Sequence, residues 1–107
     1  MFWRRRNSVK VNDVQSKVFQ TPIFAKTKKK LNKNQIKDLD KAIRKIISDP
    51  HIGQKKIGDI SDVWVYKFRM AKQENLLAYQ WNKKKRILIA LGVHENFYRD
   101  LKKYKKF

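Results

Sequence analysis

A chain of 107 residues has room for one modest hydrophobic core and no second domain, so a functional site must lie in a groove or on a sheet face rather than between domains. Hydrophobic residues at 41% and aromatics at 12% suffice to pack that core and exclude wholesale disorder. Lys and Arg number 28 against 9 Asp and Glu, a formal charge of +19, which points to a polyanionic partner held by counterion release and electrostatic steering, with nucleic acid leading that class.

Further classes drop out on residue types. Without Cys there is no disulfide framework and no Cys-ligated zinc, and the two lone histidines, His51 and His94, make a poor metal set, so no metal is expected. Gly53, Gly58 and Gly92 form no phosphate-binding loop, and no Gly-x-Ser-x-Gly string exists, so no nucleotide cofactor is expected either. No stretch approaches the roughly 20 apolar residues of a membrane span. Met1-Phe2-Trp3-Arg4-Arg5-Arg6 lacks the apolar core of a signal peptide, and the expectation is a cytoplasmic protein with no membrane partner.

Residues 1–13 carry the Arg4-Arg5-Arg6 patch with little periodicity and read as a basic arm; residues 14–107 read as the single domain. Val14 to Gln20 has the β-branched and aromatic character of an edge strand. Pro22 then suits the first turn of a helix. From Phe24 the apolar positions Phe24, Leu31, Ile36, Leu39, Ile43, Ile46 and Ile47 fall at helical spacing, with lysines on the other side. A break near Asn32 to Asn34, where Asn32 and Gln35 resemble a capping box, makes this a helical hairpin; the second helix must stop by Asp49, because Pro50 disfavours helical geometry before it.

Val63 to Met70 alternates, with Trp64, Tyr66, Phe68 and Met70 on one face and Val63, Val65, Lys67 and Arg69 on the other. One face is core and the other ends basic. Leu76 to Trp81 and Arg86 to Leu91 are two more strands joined through Asn82-Lys83-Lys84-Lys85, giving an antiparallel meander. A final amphipathic helix, about Glu95 to Lys105, would dock through Phe97, Leu101 and Tyr104. The fold class is therefore α+β: N-terminal strand, helical hairpin, three-stranded antiparallel meander and short C-terminal helix.

This order resembles the RelE/ParE superfamily of bacterial type II toxins over about residues 14 to 104. The segment Lys56 to Lys67 is similar to the family's basic loop and polar turn entering the central sheet. Leu76-Leu77-Ala78-Tyr79 sits where the family commonly has an arginine followed by an aliphatic-aliphatic-tyrosine strand. The string Leu91-Gly92-Val93-His94-Glu95-Asn96-Phe97-Tyr98-Arg99-Asp100-Leu101 most resembles a ParE-like subgroup. The resemblance implies a toxin held inactive by a cognate acidic antitoxin. Relatives of this fold include ribosome-dependent messenger RNA endonucleases and inhibitors of DNA gyrase, so it also implies a target, either mRNA on the ribosome or gyrase.

Cleaving RNA by its own 2′-OH needs a base for that proton, cations for the phosphorane charge and an acid for the departing 5′-oxygen. His94 is the candidate acid or base, and its competing role is to cap the last helix. Arg69 and Lys67 share a strand face and would grip one phosphate, or else stand solvated on a half-exposed sheet. By the resemblance Lys55 and Lys56 border the same cleft. Tyr98 lies four residues after His94, where its phenol would stack on a base or relay a proton, with core packing as the alternative. Asp59 and Glu74 are the nearby carboxylates, without local support. Leu76 stands where active endonucleases of the family usually place an arginine, which moves weight towards the gyrase reading; the leading expectation is still an endoribonuclease acting on mRNA, with the gyrase inhibitor as runner-up. A third reading is a plain basic nucleic-acid-binding module, for which Lys33, Lys37, Lys41 and Lys45 offer phosphate contacts but almost no base code.

Overall fold

The structure is a computed structural model and describes residues 17–56 and 62–93 together with Phe97, Arg99 and Leu101. The basic arm and the first residues of the expected N-terminal strand lie outside this set. In chain order the elements are strand β1 (Lys17–Gln20), helix α1 (Pro22–Lys28), helix α2 (Lys33–Ser48), a 3-10 turn (Pro50–Ile52), and strands β2 (Gln54–Lys55), β3 (Trp64–Met70), β4 (Gln73–Trp81) and β5 (Lys85–Gly92). They form a sheet of order β1-β5-β4-β3-β2, in which β1 runs parallel to β5 and all other pairs are antiparallel.

Local chemistry explains the helix ends. Thr21 caps α1, its hydroxyl accepting the Phe24 N–H at 3.1 Å while donating to the Ile89 carbonyl at 2.6 Å, which ties the helix start to β5. Asn32 and Gln35 form the expected capping box, with both reciprocal bonds at 2.9 Å. α2 ends at Ser48, before Asp49 and Pro50, as the proline requires. Its lysines at 33, 37, 41 and 45 are all exposed and lie one above another at i, i+4 spacing, an arrangement that costs an isolated helix about 0.2–0.5 kcal/mol per like-charge pair.

The meander is longer than the apolar runs alone indicated, because β4 begins at Gln73 and β5 at Lys85. The hairpin between β3 and β4 turns on Ala71 and Lys72, both at positive φ (51° and 70°), the backbone a two-residue turn needs to follow the strand twist. Asp38 of α2 accepts the Ala71 N–H at 2.8 Å and holds that turn against the helix. The short edge strand β2 went unforeseen, having only two residues and no alternation to read.

Alternation along β3 sorts the core into two layers. On the helix side Phe24, Leu39, Ile46, Met70, Leu77, Tyr79, Leu88 and Leu91 are buried together, with Trp64, Tyr66, Phe68 and Trp81 packed against them. On the other side Val63, Val65, Ala78, Ile89 and Ala90 are covered by Phe97 and Leu101, both helical and fully buried. Tyr104, the third expected docking residue, lies outside the described residues.

Candidate functional site

The sheet face opposite α2 carries the groove, and strand pairing decides which side chains reach it. Lys67 of β3 stands opposite Leu76 of β4, which in turn stands opposite Gly92 of β5. Gln54 of β2 pairs with Val65 and so projects to the same side as Lys67, two residues along β3. Phe97 and Leu101 cover one part of this face. Beside them a groove of about 430 Å³ remains open, lined by Gln54, Lys56, Lys67, Glu74, Leu76 and Val93. Two lysines and one glutamate thus line one concavity. Cations so placed can hold a phosphoryl group, and a carboxylate there can accept a proton from a bound hydroxyl.

Lys56 and Lys67 are therefore brought together, and Glu74, which had no support in its sequence neighbourhood, joins them. Lys55 does not. It pairs with Trp64, so strand alternation turns it to the other face of the sheet from Gln54, and it lines a separate concavity beside Trp64 and Trp81. Arg69 is also drawn away. Its guanidinium donates to the Lys72 carbonyl at 2.7 Å and lies beside Tyr66 and Phe68 against α2 rather than in the groove. A shared strand face is thus not a shared site here, since Arg69 is near the end of β3 and reaches around its own hairpin turn. His94, Tyr98 and Asp59 lie outside the described residues; His94 follows Val93, a groove residue, in the chain.

Gln54, Gln73 and Val93 were missed as groove residues. For Glu74, extending the β4 alternation back from Leu76 puts the carboxylate on the groove face.

Two buried polar side chains fix the frame behind the groove. Tyr79, wholly buried, donates from its hydroxyl to the Pro50 carbonyl at 2.7 Å and accepts the Gly53 N–H at 3.0 Å, pinning the 3-10 turn that leads into β2. Burial raises its pKa above the usual tyrosine value, the Gly53 hydrogen bond opposes this, and the Asp49 charge adds to it. Arg86, 6% exposed, reaches the C-terminal end of α2, its Nε donating to Ile46 at 3.3 Å and Nη2 to Ile47 at 3.1 Å, while Nη1 donates to the Asn82 carbonyl at 2.7 Å. A cation at a helix C-terminus meets the negative end of the helix dipole and its unpaired carbonyls. Burial lowers the guanidinium pKa from its ordinary value, with Tyr79 opposing the shift.

A family model described as the ParE-like toxin of type II bacterial toxin-antitoxin systems matches residues 18–102. The chain belongs to that family. It is a toxin of the RelE/ParE type. Among solved structures, the toxin is similar to a double-mutant E. coli RelE toxin in the free state at 19% identity and TM-score 0.65, covering 85% of this chain and 98% of that one. It is also similar to a chain of the intact E. coli RelBE toxin-antitoxin complex at 22% identity and TM-score 0.59, covering 75% of this chain and 98% of that one. At these identities the structural likeness speaks for the fold. No curated protein matches the toxin in sequence.

Proposed function

We propose that this toxin cleaves messenger RNA on the ribosome through the groove around Lys56 and Lys67, and that a cognate acidic antitoxin silences it. The observation that carries the reading is that Lys56, Lys67 and Glu74 line one open concavity on the sheet face opposite α2. In this reading the two lysines hold the scissile phosphate and the charge that develops on it. Glu74 takes the proton from the 2′-OH, whose oxygen attacks phosphorus. The P–O5′ bond breaks, and His94, one residue beyond groove-lining Val93, returns a proton to the departing oxygen; Tyr98 is proposed to stack on a neighbouring base.

Cleavage of a defined RNA by the purified toxin, with and without ribosomes, tests this. Lys67→Ala should slow cleavage by about 10²-fold or more, in the range found for removing one charge-stabilising donor, and Lys55→Ala should leave the chemical step near wild type. Equal effects of the two substitutions would remove the groove from the account.

One feature favours a second reading, a ParE-type toxin that inhibits DNA gyrase by binding. Leu76 puts an aliphatic side chain inside the groove, where it supplies no charge to a phosphate. Gyrase supercoiling assays separate the two, because a gyrase inhibitor acts there without cutting RNA.

A further inference from the structure

The lysine row of α2 is not used by the groove, which opens on the opposite face of the sheet. Lys33, Lys37, Lys41 and Lys45 are all exposed, and none forms an ion pair among the described residues. The two acids of the helix, Asp38 and Asp40, offset only part of this charge. Asp38 is engaged with the Ala71 N–H, and Asp40 forms no ion pair among the described residues. With a rise of about 1.5 Å and a turn of about 100° per residue, the four lysines follow one another about every 6 Å along the helix axis, each about 40° further round it, and so form one gently winding row.

The row leads into a cleft of about 220 Å³ between α2 and β3, lined by Lys41, Lys45, Arg69, Tyr66, Phe68 and Asp38. Arg69 is held there by its bond to Lys72, which leaves its other guanidinium N–H groups to donate. Tyr66 and Phe68 are half-buried, with rings parallel to within 6° and centroids 6.0 Å apart. Cations in a row beside aromatic rings are the elements of a sequence-independent single-strand site, in which phosphates meet the charges and a base meets a ring.

We propose that this face binds a second stretch of single-stranded RNA, with Lys33, Lys37, Lys41, Lys45 and Arg69 on its phosphates and Tyr66 or Phe68 against a base. An acidic peptide would satisfy the lysines but has no base to lay against the rings, so RNA fits the whole cleft better. Binding at this face needs no cleavage and is independent of the groove chemistry.

The test is titration of the full chain with a 2′-O-methyl RNA oligonucleotide, which lacks the attacking hydroxyl, over a series of salt concentrations. Replacing the four row lysines together with Gln should reduce the slope of log K against log salt by about 2 to 3, from about 0.7 per lost single-strand contact. Replacing the exposed Lys29, Lys30, Lys83 and Lys84 with Gln removes the same charge and should change the slope much less. Tyr66→Leu should weaken RNA binding about tenfold or more while leaving binding of polyglutamate unchanged. Circular dichroism identifies any variant that fails to fold, and Arg69→Gln, which removes an exposed guanidinium and its one bond to the Lys72 carbonyl, then repeats the test with a slope change of about 0.7. Equal slopes for the two quadruple variants would overturn the proposal, as would equal losses of RNA and polyglutamate binding. An inactive groove variant that still shows the row-dependent slope would sustain it even if the nuclease reading fell.

Discussion

The Tyr79 hydroxyl accepts the Gly53 N–H at 3.0 Å, and through this bond a core strand fixes the entry to β2 and hence the position of Lys56 in the groove. The contact leaves no room for a side chain at Gly53, where a Cβ would lie 2.6 Å from that hydroxyl and 2.9 Å from the Val65 carbonyl oxygen. Tyr79→Phe keeps the ring but strands the Gly53 N–H and the Pro50 carbonyl, and urea unfolding should show a loss of about 1–3 kcal/mol. The pH profile carries a signature. Because the folded pKa of Tyr79 is raised, its stabilising contribution is complete below the usual tyrosine value near 10 and is lost as pH rises through the folded pKa. The stability difference between wild type and Tyr79→Phe should therefore shrink above about pH 10 and stay flat from neutrality up to it.

Arg86 should not be replaceable by lysine. A single ammonium cannot span the carbonyls of Ile46, Ile47 and Asn82 that the guanidinium fork reaches together. Arg86→Lys should cost about 1–3 kcal/mol in denaturant unfolding, with loss of hydrogen-exchange protection concentrated at the C-terminal end of α2. Wild-type protection at that helix end in the variant would show that the fork is dispensable.

These two residues mark where the sequence was legible and where it was not. The capping box at Asn32 and Gln35, the stop at Pro50 and the two-faced run from Val63 to Met70 are local signals, each written within a few residues, and the structure follows them, with the strand itself starting at Trp64. The parallel pairing of β1 with β5 joins residues more than sixty apart and leaves no local mark. Arg86 opens the strand expected from Arg86 to Leu91, directly after the lysines of the turn, and nothing in its sequence neighbourhood marks its guanidinium as buried; the end of α2 supplies carbonyls that only the tertiary fold brings near. The groove was legible in part. Lys67 could be read from alternation, but the divergence of Lys55 and Lys56 depends on β2, a strand too short to have a pattern.

Leu76 offers a gain-of-function experiment. It stands opposite Lys67 and lines the groove, so Leu76→Arg would add a guanidinium beside the two lysines. On the nuclease reading this raises the rate of RNA cleavage, by about tenfold if the new cation is worth about 1.4 kcal/mol in the transition state. A folded Leu76→Arg toxin with unchanged or lower cleavage would mean that the reacting phosphate does not sit against this part of the groove.

The central claim is that the toxin arrests growth by cutting messenger RNA in the groove of Lys56 and Lys67. Primer-extension mapping of messenger RNA ends after induction of the lone toxin, compared with the Lys56→Ala, Lys67→Ala double variant, tests it most directly. The account predicts new ends inside translated reading frames that disappear in the double variant and on co-expression of the antitoxin. Intact messages during growth arrest, accompanied by DNA breaks, would contradict it and identify gyrase as the target.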